Sequence, residues 1–276
     1  MQRSIGPIRW VLAVTLLAAA VASGCSSGVD GASSEPTATP TTALPAGAEA
    51  LVGRYAHYDV VAYQDATMKT LIISTGFSDL EIRDGQMWNR QRFCHADVGT
   101  DQNLQITISD AATSAIVPID TPVEVTEVDG KLRVSRPATP TAIGIKIEDP
   151  ANEQLPTDPN DPRVVDADGD GNPGVTTHVK VSDALQGDIY IARREIFAYD
   201  LTQVSPDRLV GSITDRSEQL VLGASNPVFV SKAQWKQIDD PARNPVIWQR
   251  VDADWDCARL ATERATIFPP KPLADW

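Results

Sequence analysis

Along LVGRYAHYDVVAY (residues 51–63), β-branched and aromatic residues alternate with small or polar ones. A similar pattern returns in KTLIIS (69–74), LEIRDGQMWNRQRFC (80–94), LQITIS (104–109) and PVEVTEVDGKLRVS (122–135). Short runs of this kind, bounded by turn residues, predict strands with at least one buried face. Asp84-Gly85 and Asp129-Gly130 fall inside two of the runs and predict two-residue hairpins, because both central residues of such a turn need positive φ. AIGIKI (142–147), VTTHVKV (175–181), DIYIARREIFAYDL (188–201) and RLVGSITDRSEQLVLG (208–223) continue the pattern. Some ten to twelve strands, mostly hairpin-linked, predict an all-β chain, either an antiparallel barrel or a sandwich. Helix is confined to one or two short segments, 231–238 and 254–264, the second with Asp254 as N-cap and with Cys257, Leu260 and Ala261 at helical spacing.

Between residues 148 and 174 the alternation stops. EDPANEQLPTDPNDPRVVDADGDGNPG is dense in Pro, Asp, Asn and Gly and predicts one long acidic loop. Ordering such a loop costs entropy that so polar a segment is not expected to recover by apolar burial, and a bound cation is one adequate compensation. Asp166, Asp168 and Asp170 alternate ahead of Gly171 and Asn172. This D-x-D-x-D-G order resembles the opening of EF-hand loops, dockerin repeats and thrombospondin type 3 repeats. The resemblance implies that the three carboxylates and the Asn172 carbonyl turn inward on Ca²⁺, with Gly171 making the sharp turn. Hard oxygen donors at this spacing suit Ca²⁺ better than a soft metal. Where an EF-hand supplies a bidentate glutamate this chain has Thr177, so a further acid must come from elsewhere; Asp158, Asp161 and Asp183 are the candidates. A solvated acidic turn without an ion is the alternative.

The amino terminus has a different texture. Arg3 and Arg9 precede an apolar run from Val11 to Ala22, short for a bilayer span and suited to the core of an export signal. The run closes on Ala22-Ser23-Gly24-Cys25, which resembles the lipobox of bacterial lipoproteins, with Ala22 where that family usually carries a larger aliphatic. The resemblance implies cleavage before Cys25, acylation of its sulfur by palmitate-type chains, and anchoring at a membrane surface without a transmembrane helix. An ordinary secreted protein is the alternative. Residues 1–24 are then the signal peptide, 25–49 a Pro-, Thr- and Ser-rich tether, and 50–276 a single β domain. Losing two arginines with the signal takes the formal charge from −13 to −15. Such a surface repels nucleic acid and anionic head groups and attracts divalent cations. With Cys25 acylated, Cys94 and Cys257 are the remaining thiols, and an oxidising compartment favours a disulfide between them over two buried free thiols.

Val52-Gly53-Arg54-Tyr55 resembles, in one glycine and one aromatic, the Gly-x-Trp opening of lipocalin-type barrels. The D-x-D-G-D-G-x-P-G-V-T order of residues 166–176, followed by the stretch from Gly187 to Arg193, resembles uncharacterised bacterial lipoproteins, which implies export and no chemistry. Catalytic patterns are thin. His57, His95 and His178 are the only histidines and lack zinc-ligand spacing. Gly223-Ala224-Ser225 lacks the second glycine of a nucleophile elbow and reads as a turn. Trp88, Trp235, Trp248 and Trp255 are assigned to packing ahead of a ligand platform, and Trp276, the last residue, to an exposed position. The sequence thus predicts a lipid-anchored, extracytoplasmic binding or structural protein of a bacterial cell membrane or outer membrane, with a Ca²⁺-stabilised loop that meets an envelope partner. The alternatives are a lipocalin-like barrel carrying a small apolar ligand, and an envelope hydrolase.

Overall fold

Twelve strands join in one hydrogen-bonded sheet among the described residues, and every strand pair is antiparallel. The computed structural model describes residues 43–230 and 235–275, so the signal segment, Cys25, most of the tether and Trp276 lie outside the described residues. In chain order the elements are β1 (Gly53–Gln64), β2 (Lys69–Arg83), β3 (Gln86–Thr100), β4 (Gln105–Ile108), α1 (Asp110–Ser114), β5 (Ile119–Val128), β6 (Lys131–Ile143), β7 (Val175–Ser182), β8 (Leu185–Ser205), β9 (Arg208–Asp215), β10 (Glu218–Ala224), β11 (Lys236–Gln237), β12 (Pro245–Arg250) and α2 (Cys257–Ile267).

The pairings β1–β2–β3–β5–β6–β8–β9–β12 return to β1, which closes an eight-stranded barrel with no free edge. β1, β2, β3 and β8 run on beyond it and help build a second lobe. There β3 from Asp97 onward pairs with β4, β4 with β7, and β7 with the first half of β8, while β10 lies along the other side of that half. Among the described residues nothing pairs β10 with β11, so the second lobe is open along one side.

Side chains directly opposite one another on paired strands share a face. The inward set of the closed barrel therefore includes Tyr55, Leu80, Met87, Val134, Leu201, Leu209 and Trp248, all buried in one cluster. The other face of β1 is covered too. Ala56, Tyr58, Val60 and Ala62 pack with Leu260 of α2, Trp255 and Phe268. Cys94 and Cys257 are joined as a disulfide with Cα atoms 5.4 Å apart, tying α2 to that outer face.

Both Asp-Gly hairpins form, with φ of 49° and 76° at Asp84 and Gly85 and of 53° and 71° at Asp129 and Gly130. Several expectations need correction. The folded body begins before residue 50: Leu44 packs on the core, and Ala48 and Leu51 of a 3₁₀ turn are fully buried where β1 starts. Residues 69–74 and 80–94 are not separated by breaks; β2 and β3 are continuous, and a bulge at Thr75/Gly76 absorbs the irregularity. The strand expected at 142–147 stops at Ile143, beyond which Gly144 turns the chain at φ 71°. No helix forms at 235–238, because Lys236 and Gln237 pair with the end of β1 instead; residues 231–234 lie outside the described residues. α2 starts at Cys257 with Asp256, not Asp254, accepting the capping hydrogen bond from the Arg259 N–H. α1 and β12 had no expected counterpart. No helix among the described residues is long and apolar enough to cross a membrane.

Candidate functional site

The second lobe encloses a cavity of about 800 Å³. Its walls are the inward residues of several strands, among them Ile72, Val98, Ile106, Val179, Ile189 and Val221, with Thr157 reaching in from the acidic loop and Val228, Phe229 and Trp235 from the segment after β10. Val228 is 64% exposed, so the cavity reaches the surface there. A smaller pocket of about 90 Å³ adjoins it through shared walls at Ile72, Ile108, Thr177, Ile191 and Gln219. The combined space lies within the range of about 300–1,000 Å³ typical of small-molecule sites. Of the tryptophans, Trp248 and Trp255 are core as expected, whereas Trp235 lines the cavity and Trp88 is half-buried beneath the Arg83 guanidinium, 5.2 Å from its ring centroid.

Between the cavity and the apolar base of the closed barrel lies a buried polar layer. His57, Asp59, Ser78, Asn89, Gln91, Arg136 and Tyr199 all face inward and are almost wholly shielded from solvent. Asn89 Nδ2 donates to the Tyr199 hydroxyl at 2.8 Å, that hydroxyl donates to Gln91 Oε1 at 3.2 Å, and Arg136 donates to the Phe197 carbonyl at 2.6 Å with its guanidinium 4.2 Å from the Phe197 ring centroid. The sequence signal for this layer is the placing of His57 and Asp59 two apart in an otherwise apolar strand.

Ser78, His57 and Asp59 are the three residue types of a hydrolytic triad. The contacts are Ser78 Oγ to His57 Nδ1 at 3.4 Å and His57 Nε2 to Asp59 Oδ2 at 3.7 Å. Neither is a firm hydrogen bond. None of the three lines the cavity, and burial pushes the His57 imidazole down to about 3, which makes it a poor base at neutral pH. Burial also pushes the Asp59 carboxyl up to about 8, despite the opposing pull of Arg136. Both groups are therefore favoured uncharged, and their approach is not an ion pair.

These shifts have opposite signs in linkage. Asp59 holds its proton more tightly when folded, so its contribution is lost as pH rises from about 4 to about 8. His57 holds its proton less tightly when folded, so its contribution is lost as pH falls from 6.5 toward about 3. The two slopes cancel between about pH 4 and 6.5. Above pH 6.5 the Asp59 slope alone remains of these two, and over the next 1.5 units it removes about 2 kcal/mol. Beside it runs a loss common to the unmodified protein and Asp59 variants from His95, whose pKa partial burial lowers but Asp110 and Asp97 raise on balance. Asp59→Asn is expected to abolish the Asp59 share of the alkaline loss. Urea unfolding of both proteins at pH 6.5 and 8 measures it, and parallel losses in the two would remove the assignment.

The acidic loop draws three carboxylates together. One oxygen each of Asp166, Asp168 and Asp170 can be chosen so that all lie within 4.8 Å of one another. Local hydrogen bonds set this geometry. Asp166 accepts from the N–H groups of Gly169, Asp170 and Gly171 at 2.7, 3.1 and 2.8 Å, and Asp168 Oδ2 accepts from the Thr176 N–H at 2.9 Å. Asp170 accepts from the Asn172 backbone and side-chain amides at 2.8 and 3.1 Å. Asp168 Oδ1 is shielded from solvent and has no hydrogen-bond partner, and partial burial raises the Asp168 pKa, with Asp170 and Asp166 adding repulsion. An orphaned carboxylate oxygen on a residue of a three-carboxylate cluster fits a cation, and the cluster could hold a metal ion.

The extra acids do not join it. Asp161 pairs with Arg163 at 2.7 Å, Asp183 with Lys180 at 2.7 Å, and Asp158 accepts from the Asn160 N–H at 2.8 Å. Nor does the loop depend on an ion for all of its order. Leu155 is buried with Ala192 and Leu222, and Val164 packs against them. Arg163 Nη1 donates to Glu153 at 2.8 Å, and Arg194 donates to the carbonyls of Ala151 and Glu153. The expectation that apolar burial does not repay the loop is thus corrected.

His95 lies on the outer surface between Asp97 and Asp110, away from buried His57. His178 is outward and paired with Asp188 at 2.8 Å. Ser225 Oγ accepts from the Asp188 N–H at 2.7 Å. Searches against protein-family models, curated proteins and solved structures return no match to this chain.

Proposed function

We propose that the protein is a lipid-anchored, extracytoplasmic binding protein for a small apolar molecule, with Cys25 as the acylated residue and a Ca²⁺ ion at Asp166, Asp168 and Asp170. The observation that carries the reading is the cavity of about 800 Å³ in the second lobe, walled by β-branched and aromatic side chains and reaching the surface at Val228. Burying apolar ligand surface against such walls is favourable by about 25 cal/mol per Å². Ser78, His57 and Asp59 of the polar layer beneath it line neither the main cavity nor the smaller pocket, so a hydrolytic reading draws no support from the site. Oxygen-only donors favour Ca²⁺, and the incomplete ligand set implies weak affinity, with Kd about 10⁻⁴ to 10⁻³ M. Val175 and Thr177 line the pockets just beyond Asp168, whose carboxylate holds the Thr176 N–H, so an ion there would steady one wall.

The test is titration with the neutral dye N-phenyl-1-naphthylamine. Saturable, blue-shifted fluorescence is expected, and Val179→Trp, which fills the cavity from β7, should weaken it roughly tenfold or more. Dye that binds both proteins equally would mean that the cavity is not the site. Calorimetric titration with CaCl₂ after chelation tests the ion, and heat identical to that of the Asp166→Ala, Asp168→Ala, Asp170→Ala triple variant would reduce the loop to an acidic turn.

A further inference from the structure

At the floor of the cavity the apolar lining gives way to charge. Arg193 and Glu195 face inward from β8 with Gln219 beside them on β10, and all three line the smaller pocket that continues the main space. Arg193 Nε donates to Glu195 Oε1 at 3.1 Å, Nη1 to Gln219 Oε1 at 3.3 Å and Nη2 to the Tyr63 hydroxyl at 3.4 Å. The last two are at the long end of hydrogen bonding, so the guanidinium keeps donor strength for a competing oxygen. Although strands enclose them, the Arg193 and Glu195 side chains remain 13% and 17% exposed, and both line the pocket.

The charges at this floor are already balanced. An incoming anion meets Glu195, with Asp215 close behind, and an incoming cation meets Arg193 and, further in, Arg136. Either would break an enclosed pair and leave a charge uncompensated. An uncharged oxygen group avoids that cost. It finds donors on Arg193 and Gln219 and an acceptor on Glu195 within one small volume.

Resting on the cavity reading above, we infer that the ligand is an uncharged amphiphile bound head-inward. Its hydroxyl or carbonyl oxygen sits on Arg193, Glu195 and Gln219, and its hydrocarbon lies against Ile72, Ile108 and Ile191. An apolar guest with no head group leaves the floor donors without a partner, and one with its head at the mouth leaves the floor empty of oxygen.

The test is displacement of N-phenyl-1-naphthylamine from the full chain at neutral pH by dodecanol and by dodecanoate. Dodecanol is expected to bind roughly tenfold or more tightly than dodecanoate, whose charge has no free counterion at the floor. In the double variant Arg193→Met, Glu195→Met, an apolar replacement of the kind buried ion pairs often tolerate, dodecanol affinity measured against the dye affinity of the same variant should fall about tenfold. Gln219→Leu, which leaves the ion pair in place, should weaken dodecanol about threefold. Equal affinity for the two amphiphiles, or dodecanol binding unchanged in Gln219→Leu, overturns the head-inward assignment and leaves the cavity reading intact. Absence of saturable dye binding to the unmodified protein would instead sink the cavity reading, and this inference with it.

Discussion

Replacing Cys94 and Cys257 together with alanine is expected to lower the stability of the protein by about 2–5 kcal/mol. The bridge spans 163 residues and joins β3 to the first residue of α2. Opening a loop of that length returns chain entropy to the unfolded state, which sets the upper end near 5 kcal/mol. The native state loses much less. Leu260 and Phe268 remain packed against β1, so α2 stays docked without its covalent tie, and the variant should keep a native β spectrum while unfolding at lower urea. Unmodified protein in dithiothreitol should unfold at the variant's midpoint. A loss below about 1 kcal/mol would show that the unfolded chain gains little from release of the bridge.

Trp248→Ala should cost about 3–5 kcal/mol, the range for removing a large aromatic from a core that cannot collapse around the gap. Trp248 is wholly buried on β12, the strand that closes the barrel between β1 and β9. Its ring centroid lies 5.8 Å from that of Tyr55 and 5.4 Å from that of Tyr199, the second in edge-to-face geometry. Packing decides the size of the effect. Trp248 Nε1 is buried and finds no acceptor, so losing the indole N–H forfeits no hydrogen bond. Trp248→Phe should therefore recover most of the loss, costing about 1–2 kcal/mol. Urea unfolding of both variants decides the point, and equal destabilisation would mean that the indole nitrogen matters after all.

The sequence-to-structure correspondence is uneven for physical reasons. Hairpins at Asp84-Gly85 and Asp129-Gly130 were legible because positive φ at adjacent positions leaves few residue choices. β12 was not, since PVIWQR is brief and opens on proline, and only its partners β1 and β9 make it a strand. The disulfide followed from having two thiols left to pair. The convergence of Asp166, Asp168 and Asp170 was legible from their spacing, because turns that place alternate side chains on one side are local. The long-range acids were not: Asp161 and Asp183 found nearby cations first, which depends on where Arg163 and Lys180 fall. The cavity leaves no local trace. Ile72, Ile106 and Ile189 alternate as they would on the inner face of a filled barrel, and whether that interior is full depends on how the strands close around it. His57 and Asp59 did break the apolar run of β1, but only the register with β2 and β3 turns that irregularity into a layer.

Four strands pass without a break from the closed barrel into the open lobe, β8 alone over 21 residues. They act as common beams, so the two halves cannot swing against each other like the shells of a clam, and no hinge is available to wrap around a guest. A ligand of the proposed kind would be accommodated by rotamer changes in the cavity walls and by the β10 margin, which has no strand partner on its far side among the described residues. On the proposed reading, binding without a large swing would leave the outline in scattering the same whether the cavity is loaded or vacant.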